Sequence, residues 1–349
     1  MSQQHTQQTP DVRSILDRAR TGHETTVTDD EYETIVEETE RDLYDGASVD
    51  ETYQALLGAL TARVEREPAF KRIAAAVFRQ RYYREVIGED LTGFELDRAY
   101  RETFVDNLER AVDLDLLDER LLERFDVEAL AEYIEVDRDE AFEYMAMETL
   151  YQRYFLKTEQ NGEHLELPQA FWMRVAMGLA IEEDDPQMRA KEFYDVLSKL
   201  EFTPSSPTLF HSGSTHPQLS SCYLTTVDDD LEAIFDGYNS HAQLSKWSGG
   251  LGNDWTNLRA AGALIESTGV ESTGVVPFLR ISNDVTAAIN RSGKRRGAAC
   301  AYLACWHLDF PAFIDLKRNT GDERRRTPDM NTAAWIPDLF MKRVEKGDQ

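Results

Sequence analysis

Four stretches in the second part of this sequence carry the side chains best suited to chemistry. Ser220-Ser221-Cys222 places a thiol directly after two hydroxyls, and Ser205-Ser206-Pro207-Thr208 adds a hydroxyl-rich turn upstream. A cysteine in such surroundings suits a nucleophile or a redox thiol; it equally suits a small buried hydrophobe. Lys246-Trp247-Ser248-Gly249-Gly250-Leu251-Gly252 exposes backbone N–H groups that an anion could approach closely. It matches neither the dinucleotide fingerprint nor a P-loop, and a tight helix-to-strand turn explains it as well. Asp228-Asp229-Asp230-Leu231 opens a helix, where a carboxylate caps free N–H groups. Capping uses one aspartate; the others are spare acceptors for a sugar hydroxyl or water, or a solvated surface. Arg291-Ser292-Gly293-Lys294-Arg295-Arg296-Gly297 sets four cations between glycines, a composition suited to a phosphate-binding loop or a solvated basic turn.

Other candidates carry less. Cys300 and Cys305 lie five apart in the apolar run 298–306, a spacing that fits neither a redox pair nor a zinc site, and are expected in the core. His307, between Trp306 and Leu308, is expected to be a satisfied core group. Arg324, Arg325 and Arg326 beside Asp322 and Glu323 are expected to form surface pairs. No histidine–carboxylate array occurs, so no metal site is expected.

These groups need a scaffold. From Val12 to about Lys157 apolar residues recur at helical spacing, with capping boxes at Thr28/Glu31 and Ser48/Glu51 and a turn at Asn161-Gly162 before Leu167-Pro168. From Phe202 the texture changes to Gly, Ser, Thr and Pro, with short apolar runs at Cys222–Leu224 and Ala301–Leu303 and helices over 231–247 and 276–290. Strands alternating with helices predict a parallel α/β arrangement. The tandem Glu266–Val270 and Glu271–Val275 copies are expected to form a loop.

Charge follows the same division. The chain has 38 basic and 65 acidic residues, a net of −27. Residues 1–200 hold 23 basic and 47 acidic groups; residues 201–349 hold 15 and 18. Such a chain repels nucleic acid and anionic membranes, so neither is an expected partner. Lysine is scarce, 9 against 29 arginines, which together with the acid matches proteins of salt-loving cells. The polar start, residues 1–14, lacks an apolar signal core, no membrane span is evident, and three cysteines make no disulfide framework; a cytoplasmic location is expected.

Taken in order, SPTLFHSGSTHPQLSSC (206–222), the DDDL helix start, WSGGLG, NRSGKRRGA, WHLDFPAFIDLKRNTG and WIPDLFMKRV resemble the large, alpha chain of ribonucleoside-diphosphate reductase. The resemblance runs from about residue 140 to Val344, is tight from Thr203, and is nearer the class I than the class II type. It implies a helical region followed by the first half of a ten-stranded α/β barrel. Residues 1–85 would be a remnant of an ATP-cone-like domain, 86–200 the helical N-terminal domain, and 201–349 the half barrel. It also implies reduction of ribonucleotides by thiyl-radical chemistry, with Cys222 as one thiol of a reducing pair. Ser206, Ser221 and Gly250 would contact the substrate. Asp229, Asp230, Leu231, Lys246 and Arg259 would form the site at the dimer interface for a deoxynucleoside triphosphate effector, and Arg291, Lys294, Arg295 and Arg296 the loop that relays effector identity.

The partners implied are a nucleoside diphosphate, dNTP or ATP effectors, a second copy of the chain, and thioredoxin or glutaredoxin as reductant. No cofactor would bind this chain directly; the radical would come from a metal-containing small subunit, or adenosylcobalamin in the class II type. The Asn-x-Cys-x-Glu radical segment and the second cysteine of the pair do not occur in this sequence, nor does the front half of the cone with its Lys-Arg-Asp-Gly-type nucleotide segment. The chain is therefore expected to supply the N-terminal part of the enzyme and to be inactive without the C-terminal half. The other readings are a non-catalytic nucleotide-binding remnant or a truncated product.

Overall fold

The computed structural model describes residues 11–21, 27–246, 249–289 and 298–348. These divide into two compact units, residues 1–204 with 209–217, and residues 205–208 with 218–349. Among the described residues no helix is long and apolar enough to cross a membrane.

The first unit is helical. Its first helix begins at Val12, and residues 1–10 of the polar start lie outside the described set. Both capping boxes form: Glu31 Oε2 accepts from the Thr28 N–H at 3.0 Å and Glu51 Oε2 from the Ser48 N–H at 2.8 Å. They start the helices Asp29–Asp42 and Val49–Thr61. Apolar residues at helical spacing, from Ile15 and Leu56 through Phe78, Tyr100 and Phe171, merge into one core that runs from Val12 to Leu209. The helix Pro168–Ala180 lies within this core, with Pro168 at its first turn and nearly all its residues buried. A Cβ on Gly178 would lie 2.1 Å from the Gly213 nitrogen, so only glycine lets this helix approach the 212–213 backbone.

Two buried polar clusters tie this core together. Arg174, 1% exposed, donates from Nε to Glu166 Oε1 at 2.7 Å and from Nη1 to the Ser212 carbonyl at 2.7 Å. Glu166 Oε2 also accepts from the Leu156 N–H at 2.8 Å. The buried Asp139 carboxylate accepts from Tyr83 (2.6 Å), Tyr100 (3.0 Å) and Gln169 Nε2 (2.7 Å). Burial pushes its pKa up to about 6, against the pull of these donors.

The second unit is a parallel sheet with helices on one face. Strands β1 (Cys222–Thr226), β2 (Gly250–Asp254), β5 (Ala298–Ala304) and β6 (Asn331–Trp335) pair in that order, all parallel. Between β2 and β5, β3 (Leu264–Ile265) and β4 (Val270–Glu271) form a small antiparallel ribbon. The tandem repeat therefore splits. Its first copy makes the turn and enters β4, and its second leads into the helix Val275–Ile289. The helices Leu231–Lys246 and Val275–Ile289 are the crossovers that parallel neighbours require. Leu251, Ala299, Ala301 and Leu303 point to the helices and are buried with Ile234, Tyr238, Val276 and Leu279. The alternate residues point the other way. There Cys222, Leu224 and Trp335 are exposed, Leu224 by 81% and Trp335 by 62%.

Candidate active site

Cys222 stands at the head of β1, on the uncovered face, directly opposite Gly250 in the parallel register. The Gly250 N–H donates to the Ser221 carbonyl at 2.7 Å, locking the two strand starts together. Among the described residues, a Cβ on Gly250 would meet the Ser221 carbonyl at 3.2 Å and the Cys222 sulfur at 4.0 Å, so the space above this glycine lies beside the thiol. Ser221 Oγ lies 3.6 Å from that sulfur. Ser206 begins the short helix Ser206–His211 and is half-buried. Thr208, two residues on, donates from Oγ1 to the Leu219 carbonyl at 2.7 Å, which fastens the hydroxyl-rich turn to the segment leading into Ser221 and Cys222. The structure thus brings an accessible thiol, hydroxyl groups and a bare strand to one end of a parallel sheet, where polar ligands and thiol chemistry can be accommodated.

The three aspartates divide their work. Asp230 Oδ2 accepts from the Ala233 N–H at 3.1 Å and caps the helix Leu231–Lys246. Asp229 pairs with Arg259, Nε to Oδ2 at 2.7 Å, and also accepts from the Arg259 backbone N–H at 3.2 Å. Asp228 Oδ1 accepts from Asn257 at 3.2 Å. Leu231 is exposed beside them. Lys246 is not brought to this group: it ends the 16-residue helix that Leu231 begins, about 22 Å away along the axis. The cations Arg291, Lys294, Arg295 and Arg296 lie outside the described residues.

One sequence expectation is corrected, and one open reading is narrowed. Cys300 and Cys305 are half-buried, not core cysteines, and strand alternation turns Cys300 to the uncovered face. The 249–252 glycines are not merely a turn, because Gly250 and Gly252 lie within β2, where two glycines disguise the apolar alternation of a strand. His307 is satisfied as expected, its Nε2 donating to the Leu258 carbonyl at 2.7 Å and its Nδ1 accepting from the Asp309 N–H at 3.1 Å, although it is half-buried. Tyr302, two residues beyond Cys300 on the same face, escaped the sequence reading; i, i+2 alternation from Cys300 was the available signal.

Comparison with known proteins matches both units. Residues 140–217 match the family model described as ribonucleotide reductase, all-alpha domain, and residues 220–349 match ribonucleotide reductase, barrel domain. The chain is 46% identical over 303 residues to the ribonucleoside-diphosphate reductase subunit alpha of Chlamydia muridarum, covering 87% of this chain and 29% of that protein. It is 40% identical over 301 residues to the subunit alpha of Helicobacter pylori, covering 86% and 37%. It is 44% identical over 211 residues to the ribonucleoside-diphosphate reductase large subunit of vaccinia virus, covering 60% and 27%. The chain thus spans about a third of the length of these relatives.

Proposed function

Because this chain belongs to the ribonucleotide reductase large-subunit family, we propose that it supplies the N-terminal, substrate- and effector-binding part of an enzyme that reduces ribonucleoside diphosphates to deoxyribonucleotides. In this reading residues 1–85 are a remnant of an ATP-cone-like domain, 86–200 the helical N-terminal domain and 201–349 half of the catalytic barrel. The uncovered face of the sheet is the inside of that barrel, and the remainder of the enzyme closes over it.

The reaction replaces the ribose 2′-hydroxyl by hydrogen. After a thiyl radical has taken a hydrogen atom from the ribose, a pair of thiols delivers two electrons and two protons. The hydroxyl leaves as water and the two sulfurs close into a disulfide. Cys222 is one of these thiols. Neither Cys300 nor Cys305 is its partner: the register sets Cys300 two strands across and two residues along from Cys222, about 11 Å between Cα atoms. That exceeds the ~7 Å limit of a disulfide. Ser206 and Ser221 hold the substrate, Gly250 lets it reach the sulfur, and Arg291, Lys294, Arg295 and Arg296 carry the effector signal to it.

Asp229, Asp230, Leu231 and Arg259 receive a deoxynucleoside triphosphate. Lys246 joins them from a second copy: antiparallel pairing of two Leu231–Lys246 helices sets one copy's Lys246 beside the other's Leu231. The exposed Leu231 and Phe235 give that pairing an apolar contact. The radical is supplied by a small, metal-containing subunit or by adenosylcobalamin, and thioredoxin or glutaredoxin renews the thiols in the cytoplasm.

The observation that carries this reading is the exposed Cys222 sulfur beside bare Gly250 at the head of the first sheet strand. The test is Cys222→Ser in the complete enzyme. Turnover with dithiol reductant should stop, and retained multiple turnover would overturn the assignment.

A further inference from the structure

The face that carries Cys222 has a second feature one step along the strands. Gly252 lies between Leu224 on β1 and Cys300 on β5 in the register. A Cβ built on it would meet Leu224 Cδ2 at 2.6 Å and Tyr302 Cε2 at 3.0 Å. Two side chains from opposite neighbours therefore converge over one glycine. Above Gly250, among the described residues, the nearest side-chain atom is the Cys222 sulfur at 4.0 Å. Leu224 and Tyr302 thus form a wall on one side of the glycine trough, with the Cys222 thiol at its other end.

The wall is not chemically uniform. Leu224 supplies methyl groups, whereas Tyr302 supplies a phenol on the same strand face as the Cys300 sulfur. The neighbouring Cys300 and partial burial raise the Tyr302 pKa above that of a free phenol, so its hydroxyl is protonated at neutral pH. A neutral hydroxyl suits the sugar or base end of a nucleotide. Phosphates call for cations or bare N–H groups.

We propose that Tyr302 is a substrate-positioning residue, its phenol bonding the sugar–base end of a nucleotide lodged over Gly250 while the aromatic ring and Leu224 set the depth to which that nucleotide enters. The inference rests on the proposed role of Cys222 and adds a residue on a different strand. It also gives Gly252 a reason to be glycine, since a side chain there would displace the wall without touching Cys222 or Gly250.

The test is protection of Cys222 in the full chain from iodoacetamide during a titration with ADP, followed by mass spectrometry of the Cys222 peptide. In the parent chain ADP should slow alkylation. Tyr302→Phe keeps the ring and should raise the half-protecting ADP concentration about tenfold, with the alkylation rate in the absence of ADP unchanged. Gly252→Ala, a second route to the same wall, should weaken protection as well, and Tyr302→Phe should then add little to it. Equal half-protecting concentrations in the parent and Tyr302→Phe chains would overturn the role of Tyr302 and leave the Cys222 reading intact. Absence of protection in the parent chain would overturn both.

Discussion

The two units use buried polar groups in opposite ways. In the helical unit, Asp139 is an acid held in the interior by three neutral donors, and burial raises its pKa to about 6. In the sheet unit, His241 is a base held in the interior between the helices Leu231–Lys246 and Val275–Ile289. Its Nε2 faces Thr286 Oγ1 at 3.0 Å and its Nδ1 faces Ser282 Oγ at 3.4 Å. Burial lowers its pKa to about 4. Thr286 donates its own proton to the Ser282 carbonyl, so Nε2 carries the histidine proton and the ring is neutral. The helical unit also gathers its buried apolar residues into one continuous core, whereas the sheet carries the exposed Cys222, Leu224 and Trp335 on one face and the helix Asp338–Lys346 has no buried residue.

The sharpest way to break that contrast is to remove a support from the helical unit. Arg174→Ala leaves Glu166 buried and uncompensated and orphans the Leu209 and Ser212 carbonyls that Arg174 now satisfies. The expected cost is about 3–5 kcal/mol in urea unfolding followed by circular dichroism. A loss below about 1 kcal/mol would mean that the core yields and water reaches the carboxylate.

Acid should then drive the units apart. The His241 pKa is lower in the fold than unfolded, so its contribution is complete above about pH 6.5 and lost as pH falls through about 4. Asp139 is raised, so its contribution is complete below the ordinary carboxylate range and lost as pH rises through about 6. From pH 7 to pH 5 the sheet unit should lose about 2 kcal/mol through His241. The helical unit should gain about 1 kcal/mol through Asp139. Hydrogen exchange at the two pH values reads each unit separately. Asp139→Asn should abolish the helical unit's gain, and His241→Gln should flatten the sheet unit's loss.

What could be read in the sequence follows from how local each determinant is. The capping boxes at Thr28/Glu31 and Ser48/Glu51 involve four consecutive residues, so spacing alone reveals them. The strands Cys222–Thr226 and Ala298–Ala304 surfaced as apolar runs. The facing of Cys300 did not, because alanines occupy both sides of β5 and erase the period of two. β2 was hidden by its own glycines. The wall over Gly252 unites residues from three strands, and the Arg174–Glu166 pair is completed by carbonyls more than thirty residues away. Such convergence has no local signature. The separation of Lys246 from Asp229 was legible as helix length, yet resemblance had grouped them.

The smallest effect separates a cap that only holds a helix from one whose charge is spare. Ser48 Oγ accepts from the Glu51 N–H at 3.3 Å and Glu51 returns the contact, so the pair is fully used within its own helix. Ser48→Ala should cost about 1 kcal/mol of helical-unit stability and nothing else. Asp230 caps the Leu231–Lys246 helix with one oxygen, a task that asparagine performs equally well. Asp230→Asn should therefore change stability by less than about 0.5 kcal/mol. If the aspartates also receive an effector, the same substitution should weaken dTTP binding measured by calorimetry. A stability loss comparable to that of Ser48→Ala, with dTTP affinity unchanged, would make Asp230 a cap of the helical unit's kind and erase the distinction at this position.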